Sequence, residues 1–135
     1  DASNPQGYED FLREVGVDVF LLASGASDGH VAFNPPGTTR DARTRIVRIA
    51  DETRHDNLST FPNFKDIDEV PKYGVSVGPA TIVDVSAIVI MELIGKHKAR
   101  AYERICAATS YESDWPSTIV YECKTYYILA DNSVV

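Results

Sequence analysis

RTRIVRIADETRHDNLSTFPNFKDIDEV, residues 43–70, is the stretch on which the reading of the fold turns. Ile46, Val47 and Ile49 form a β-branched apolar run suited to a strand, which ends in charges. A polar turn follows, then the Phe61-Pro62-Asn63-Phe64 corner. The acidic segment Lys65–Val70 reads as a helical turn halted by Pro71. Strand, ordered loop and helix start carry no catalytic motif, so the arrangement of elements must supply any functional reading.

Upstream, Asp1–Gly7 is polar and reads as a mobile tail, and Tyr8–Val15 as a short helical turn. VDVFLLA, residues 17–23, is a strand closed by the Ser24-Gly25-Ala26-Ser27-Asp28-Gly29 loop. His30–Phe33 resembles a second short strand, stopped by Pro35-Pro36. Downstream, Val75–Pro79 is a linker. Thr81–Leu93 is ambiguous by propensity, but Gly95 as a C-terminal cap and Lys96, His97 and Lys98 at the dipole's negative end favour a buried helix.

Tyr102–Glu112 and Thr118–Leu129 read as paired strands turning at Asp114-Trp115-Pro116. That register sets Cys106 opposite Cys123, close enough for a disulfide after a small adjustment. Two buried, unbonded thiols are the alternative. Together the elements predict an α+β domain on antiparallel strands: residues 1–16 a flexible tail and turn, residues 17–135 one domain.

Twenty acidic residues against 13 Lys and Arg leave a net charge of −7, which argues against a nucleic-acid surface. The longest apolar run, Val85–Ile94, is broken by Ser86 and Glu92 and is too short to span a bilayer. Asp1 in place of a methionine suggests a mature product cut from a precursor, or a trimmed chain. His30, His55 and His97 lie in different elements without metal-ligand spacing, so no metal or cofactor is expected. GxGxxG and GxxxxGK are both missing. The acids at Asp51-Glu52 and Asp66–Glu69 suit solvated turns and helix starts. Two basic clusters stand out, Lys96 to Arg100 and Arg40 to Arg48; they suit solvated ends or an acidic partner.

VDVFLLAS (17–24), TRIVRIADETRHDNLSTFPNFKDIDEV (44–70), MELIGKHKARAYERICAATSYESD (91–114) and TIVYECKTYYI (118–128) together resemble the PsbP and PsbP-like family. Its members are extrinsic proteins of the thylakoid lumen. The resemblance implies an α-β-α sandwich around an antiparallel sheet, here lacking the last strand and helix. It further implies a non-enzymatic photosystem II subunit or assembly factor, peripheral to the chloroplast thylakoid membrane and supporting calcium and chloride retention. Docking on photosystem membrane subunits would then fall to Asp1, Tyr8, Lys96, Lys98 and Arg100. Two other functions compete. One is a small enzyme or ligand-binding domain with a helix–sheet pocket lined by Tyr102, Tyr121, Tyr126 and Trp115. The other is a small-GTPase regulator of the Mog1-like kind.

Overall fold

Ser86–Leu93 is apolar on both faces, and such a strand is stable only where both faces are covered. In the computed structural model, which describes residues 3–134, it is the middle strand of a parallel sheet. The strands are β1 (Val17–Ala23), β2 (Arg45–Arg48), β3 (Tyr73–Ser76), β4 (Ser86–Leu93) and β5 (Tyr126–Ala130). The helices are α1 (Pro5–Val15), α2 (Asp51–Thr60), α3 (Pro79–Val85) and α4 (Ala99–Ala107). Short 3₁₀ turns cover Lys96–Lys98 and Pro116–Glu122.

The main sheet runs β1-β4-β5, parallel throughout, with Ala23 opposite Glu92 and Leu93 opposite Ala130. All three strands therefore end at one edge. Val89, Met91 and Leu93 of β4 are fully buried and join Ile82, Ile105, Ile119 and Val120 in the core. β2 and β3 form a separate antiparallel ribbon.

A chain of mixed helices and strands was expected and is found, but the main sheet is parallel, not antiparallel. Parallel neighbours need a crossover, and α4 with the following 3₁₀ turn supplies it between β4 and β5. Tyr102–Glu112 consequently begins as helix rather than strand, and the hairpin that would have paired Cys106 with Cys123 is not formed. Both thiols are free; Cys106 is exposed on α4 and Cys123 is buried. Thr81–Leu93 is not one helix either: α3 stops at Val85 and the β-branched remainder extends as β4.

Within the amino-terminal segment, Pro5–Val15 forms the helix α1. Asn4 caps α1 by accepting from Gly7 N–H at 3.0 Å, and Pro5 opens the helix. Asp1 lies outside the described residues. Glu9, fully buried, anchors α1 against β2 and α3. Its Oε2 accepts from Thr44 N–H, Thr44 Oγ1 and Thr81 Oγ1 at 3.1, 2.6 and 2.7 Å, and its Oε1 from Arg13 Nε at 2.8 Å.

Burial pushes the Glu9 carboxyl up, but these hydrogen bonds to its charged form outweigh burial and bring it to about 2. A depressed carboxylate stabilises the fold fully above the unfolded-state value of 4.5 and loses that contribution as pH falls towards 2. Glu9 should contribute about 3 kcal/mol at neutral pH by this linkage. Urea unfolding at stepped pH is the measurement. A Glu9→Gln protein should lose most of the parent's pH dependence below the ordinary carboxylate range; equal slopes would reject the assignment.

Candidate active site

Ligands of parallel α/β sheets bind outside the carboxyl ends of the strands, where loops and helix starts converge. Here three connections meet at that edge. The segment after β4 joins the segment after β5 through Gly95 N–H, which donates to Asp131 Oδ2 at 3.0 Å. It joins the segment after β1 through Lys98 Nζ, which donates to Ser24 O at 2.6 Å.

The loop after β1 folds tightly on itself. Gly25 N–H donates to His30 O at 2.8 Å, and Gly29 N–H to Gly25 O at 3.2 Å. Gly25 is required by crowding, because a Cβ there would overlap Asp28 Oδ1 and His30 Nδ1. The fold of the loop brings Asp28 Oδ1 to 2.8 Å from His30 Nδ1 and 3.1 Å from His30 N. A carboxylate can only accept, so His30 carries its proton on Nδ1 and leaves Nε2 as an acceptor. Thr53 Oγ1, from α2, lies 3.2 Å from the same Nδ1.

Burial pushes the Asp28 carboxyl up, and its hydrogen bond and charge interaction with His30 more than reverse this, leaving it below the usual carboxylate range. Its second oxygen, Oδ2, is buried with no hydrogen-bond partner among the described residues. Lys98 is half-buried; burial lowers its ammonium pKa, against the opposing pull of Asp56 and Asp28. A cleft of about 210 Å³, lined in part by Leu22, Ala23, Ser24, His30 and Ala32, opens beside the imidazole. Ala32 there holds φ at +50°, rare for a residue with a Cβ. Among the described residues no cluster of three or more His, Cys, Asp or Glu side chains could hold a metal ion.

Of the residues expected at a docking surface, only Lys98 reaches this centre. Lys96 is exposed, Arg100 lies over the Trp115 ring, and Tyr8 is half-exposed on α1. The tyrosines do not build the anticipated pocket: Tyr102 and Tyr121 pack on the core, and Tyr121 meets Tyr126 edge-on at 5.5 Å. Sequence reasoning places His30 at the start of a short strand without a chemical role, and gives none to Asp28 or Thr53. The available signal was Asp28-Gly29-His30 directly after an apolar strand.

A small α/β fold with a mostly parallel sheet, carrying an acid–imidazole pair at the strands' carboxyl ends, is an enzyme-like arrangement. No family model matches the chain. Individual relatives do. The chain is 37% identical over 124 residues to a glucosamine-6-phosphate deaminase of an Exiguobacterium species, covering 89% of this chain and 46% of that protein. Against a glucosamine-6-phosphate deaminase of Shouchella clausii the identity is 34%, with 93% and 49% covered. Against a glucosamine-6-phosphate isomerase of Candida albicans it is 33%, with 93% and 50% covered.

The solved structure of a monomeric glucosamine-6-phosphate deaminase of the NagB superfamily superposes with a TM-score of 0.87 at 29% identity, over 98% of this chain and 53% of that one. A 6-phosphogluconolactonase from Trypanosoma cruzi shares the fold alone, with a TM-score of 0.63 at 21% identity. The chain spans about half the length of the relatives it matches.

These likenesses overturn the PsbP resemblance and what followed from it. The relatives are named as enzymes of a sugar phosphate, not as photosystem subunits, so the non-enzymatic role and the photosystem partners both fall. They come from bacteria and a yeast, which removes the ground for a thylakoid-lumen address. The Mog1-like regulator falls with them, whereas the competing enzyme reading gains, at a different site from the one anticipated. Among the described residues no helix is long and apolar enough to cross a membrane.

Proposed function

We propose that this chain carries the proton-transfer centre of an enzyme that deaminates or isomerises a phosphorylated amino sugar, as its relatives' names describe for glucosamine 6-phosphate. The observation that carries the reading is the Asp28–His30 pair at 2.8 Å beside an open cleft. Both reactions need a group that takes a proton from one position on the sugar and returns it to another. His30 Nε2 is the free base, and the ionised Asp28 fixes the ring and stabilises the imidazolium that forms. Lys98 supplies the cation that a sugar phosphate requires, half-buried and pinned to Ser24 at the same edge.

Ammonia release from glucosamine 6-phosphate by the purified protein is the direct test. No release, with no shift of His30 resonances on adding that sugar phosphate, would refute the reading. Lys98→Met should raise KM about tenfold to a hundredfold while kcat changes far less, since it removes a charge-assisted contact to the phosphate. An unchanged KM would remove Lys98 from the site.

A further inference from the structure

Gly29 stands between the two members of the pair, in the left-handed region at φ +68°. Its Cα faces the Trp115 indole so closely that a Cβ there would overlap Cγ, Cδ2 and Cε2 of the ring. The backbone two residues further on completes the grip, for Ser117 N–H donates to Gly29 O at 2.9 Å. The Ser24 and Ser117 hydroxyls also meet, at 2.7 Å. Trp115 is 4% exposed, yet its Nε1 has no hydrogen-bond partner among the described residues. The indole therefore contributes a flat face here and not a donor. Two guanidinium groups from α4, those of Arg100 and Arg104, lie 5.7 and 5.3 Å from the ring centroid. Arg104 is itself held by Glu112 at 2.9 Å.

We propose that Trp115 is a positioning residue: its ring, held under the α4 arginines, presses on Gly29 and so fixes the Asp28 carboxylate against His30 Nδ1. This role rests on reading the pair as the proton-transfer centre, but the pair's geometry is observable without any turnover. The groups that bear on the imidazole are Asp28 and Thr53 directly. Lys98 interacts electrostatically with Asp28 and Asp56, and Arg100 and Arg104 lie over the Trp115 ring.

Imidazole ¹⁵N spectra at about pH 8, above the ordinary histidine range, test the role. The parent should show His30 as one tautomer with the proton on Nδ1. Trp115→Phe keeps a flat ring and discards the unpartnered donor, so it should preserve that spectrum. Trp115→Leu keeps apolar bulk but no flat face; it should average the two nitrogen shifts and lower kcat at least tenfold, with KM within about twofold. Gly29→Ala pushes on the same contact from the loop side with the core aromatic intact, and should average the shifts in the same way.

A parent-like spectrum in a folded Trp115→Leu protein, or in Gly29→Ala, overturns the role. If the leucine protein does not fold, Gly29→Ala decides alone. If the parent releases no ammonia while both variants still average the tautomers, the positioning role stands and the reaction assignment falls.

Discussion

Asp28→Asn should lower kcat/KM by about 10²–10⁴-fold, the usual worth of a positioned acid–base group. The substitution is nearly isosteric, so the loop, with its Gly25–His30 and Gly29–Gly25 hydrogen bonds, should keep its shape. What changes is the proton inventory. A carboxylate can only accept, which forces the proton onto His30 Nδ1; an amide can present either end to the ring. If the amide turns its NH₂ towards Nδ1, the imidazole must accept there, and Nε2 carries the proton that it should be free to take. An amide also places a neutral group beside the imidazolium formed during turnover. The measurement is steady-state ammonia release with glucosamine 6-phosphate, alongside near-UV circular dichroism to show that the fold is retained. A folded Asp28→Asn protein with parent-like kcat/KM would show that the pair is structural and that the proton-transfer reading is wrong.

Why this pair escaped a reading of the sequence is a matter of distance along the chain. Asp28 and His30 are two residues apart, and the strand before them, VDVFLLA, was recognised, as was the loop that closes it. Their meaning comes from partners far away: Thr53 on α2, Lys98 after β4 and Trp115 beyond α4. None of these contacts is encoded in local periodicity. A histidine at the head of a short strand carries no chemical sign until the sheet is known to be parallel, because only then do the carboxyl ends of its strands share one edge.

The misreading of the sheet has its own physical cause. Ser86–Leu93 is apolar on both faces, and such a run fits a buried helix as well as a doubly covered parallel strand. Gly95 and the cations after it looked like a helix end, yet Gly95 follows a strand and precedes a 3₁₀ turn with φ at +90°. Asp114-Trp115-Pro116 likewise looks like the turn of a hairpin between Tyr102–Glu112 and Thr118–Leu129, yet it lies within the crossover from α4 to β5. The structure keeps only the last part, Tyr126–Ala130, as strand, paired with β4. β2 within Arg43–Val70 is legible because its β-branched run is local. α2 is not, since Asp51–Thr60 has almost no apolar face to mark it. What ties α2 down is Arg54, buried and donating to Ile67 O and Val70 O across the loop that follows.

Glu9→Ala should be the most damaging single change to stability, costing about 3–5 kcal/mol in urea unfolding. The truncation leaves the Thr44 amide and the Thr44 and Thr81 hydroxyls without their acceptor in a buried site. Each such orphan costs about 1–3 kcal/mol unless it relaxes onto another partner. The two hydroxyls can rotate, but the amide cannot, so the cost does not vanish on relaxation. Glu9→Gln separates charge from shape: it keeps an acceptor for one side but turns NH₂ towards donors on the other, and should cost about half as much. The arrangement explains why a carboxylate is tolerated at full burial. It accepts across sequence separations of 35 and 72 residues, so a single side chain ties α1 to the approach to β2 and to the start of α3. α1 in turn leads through Gly16, at φ +71°, straight into β1. A Glu9→Ala protein as stable as the parent would mean that apolar burial alone holds α1 in place, and that the pH dependence assigned to Glu9 arises elsewhere.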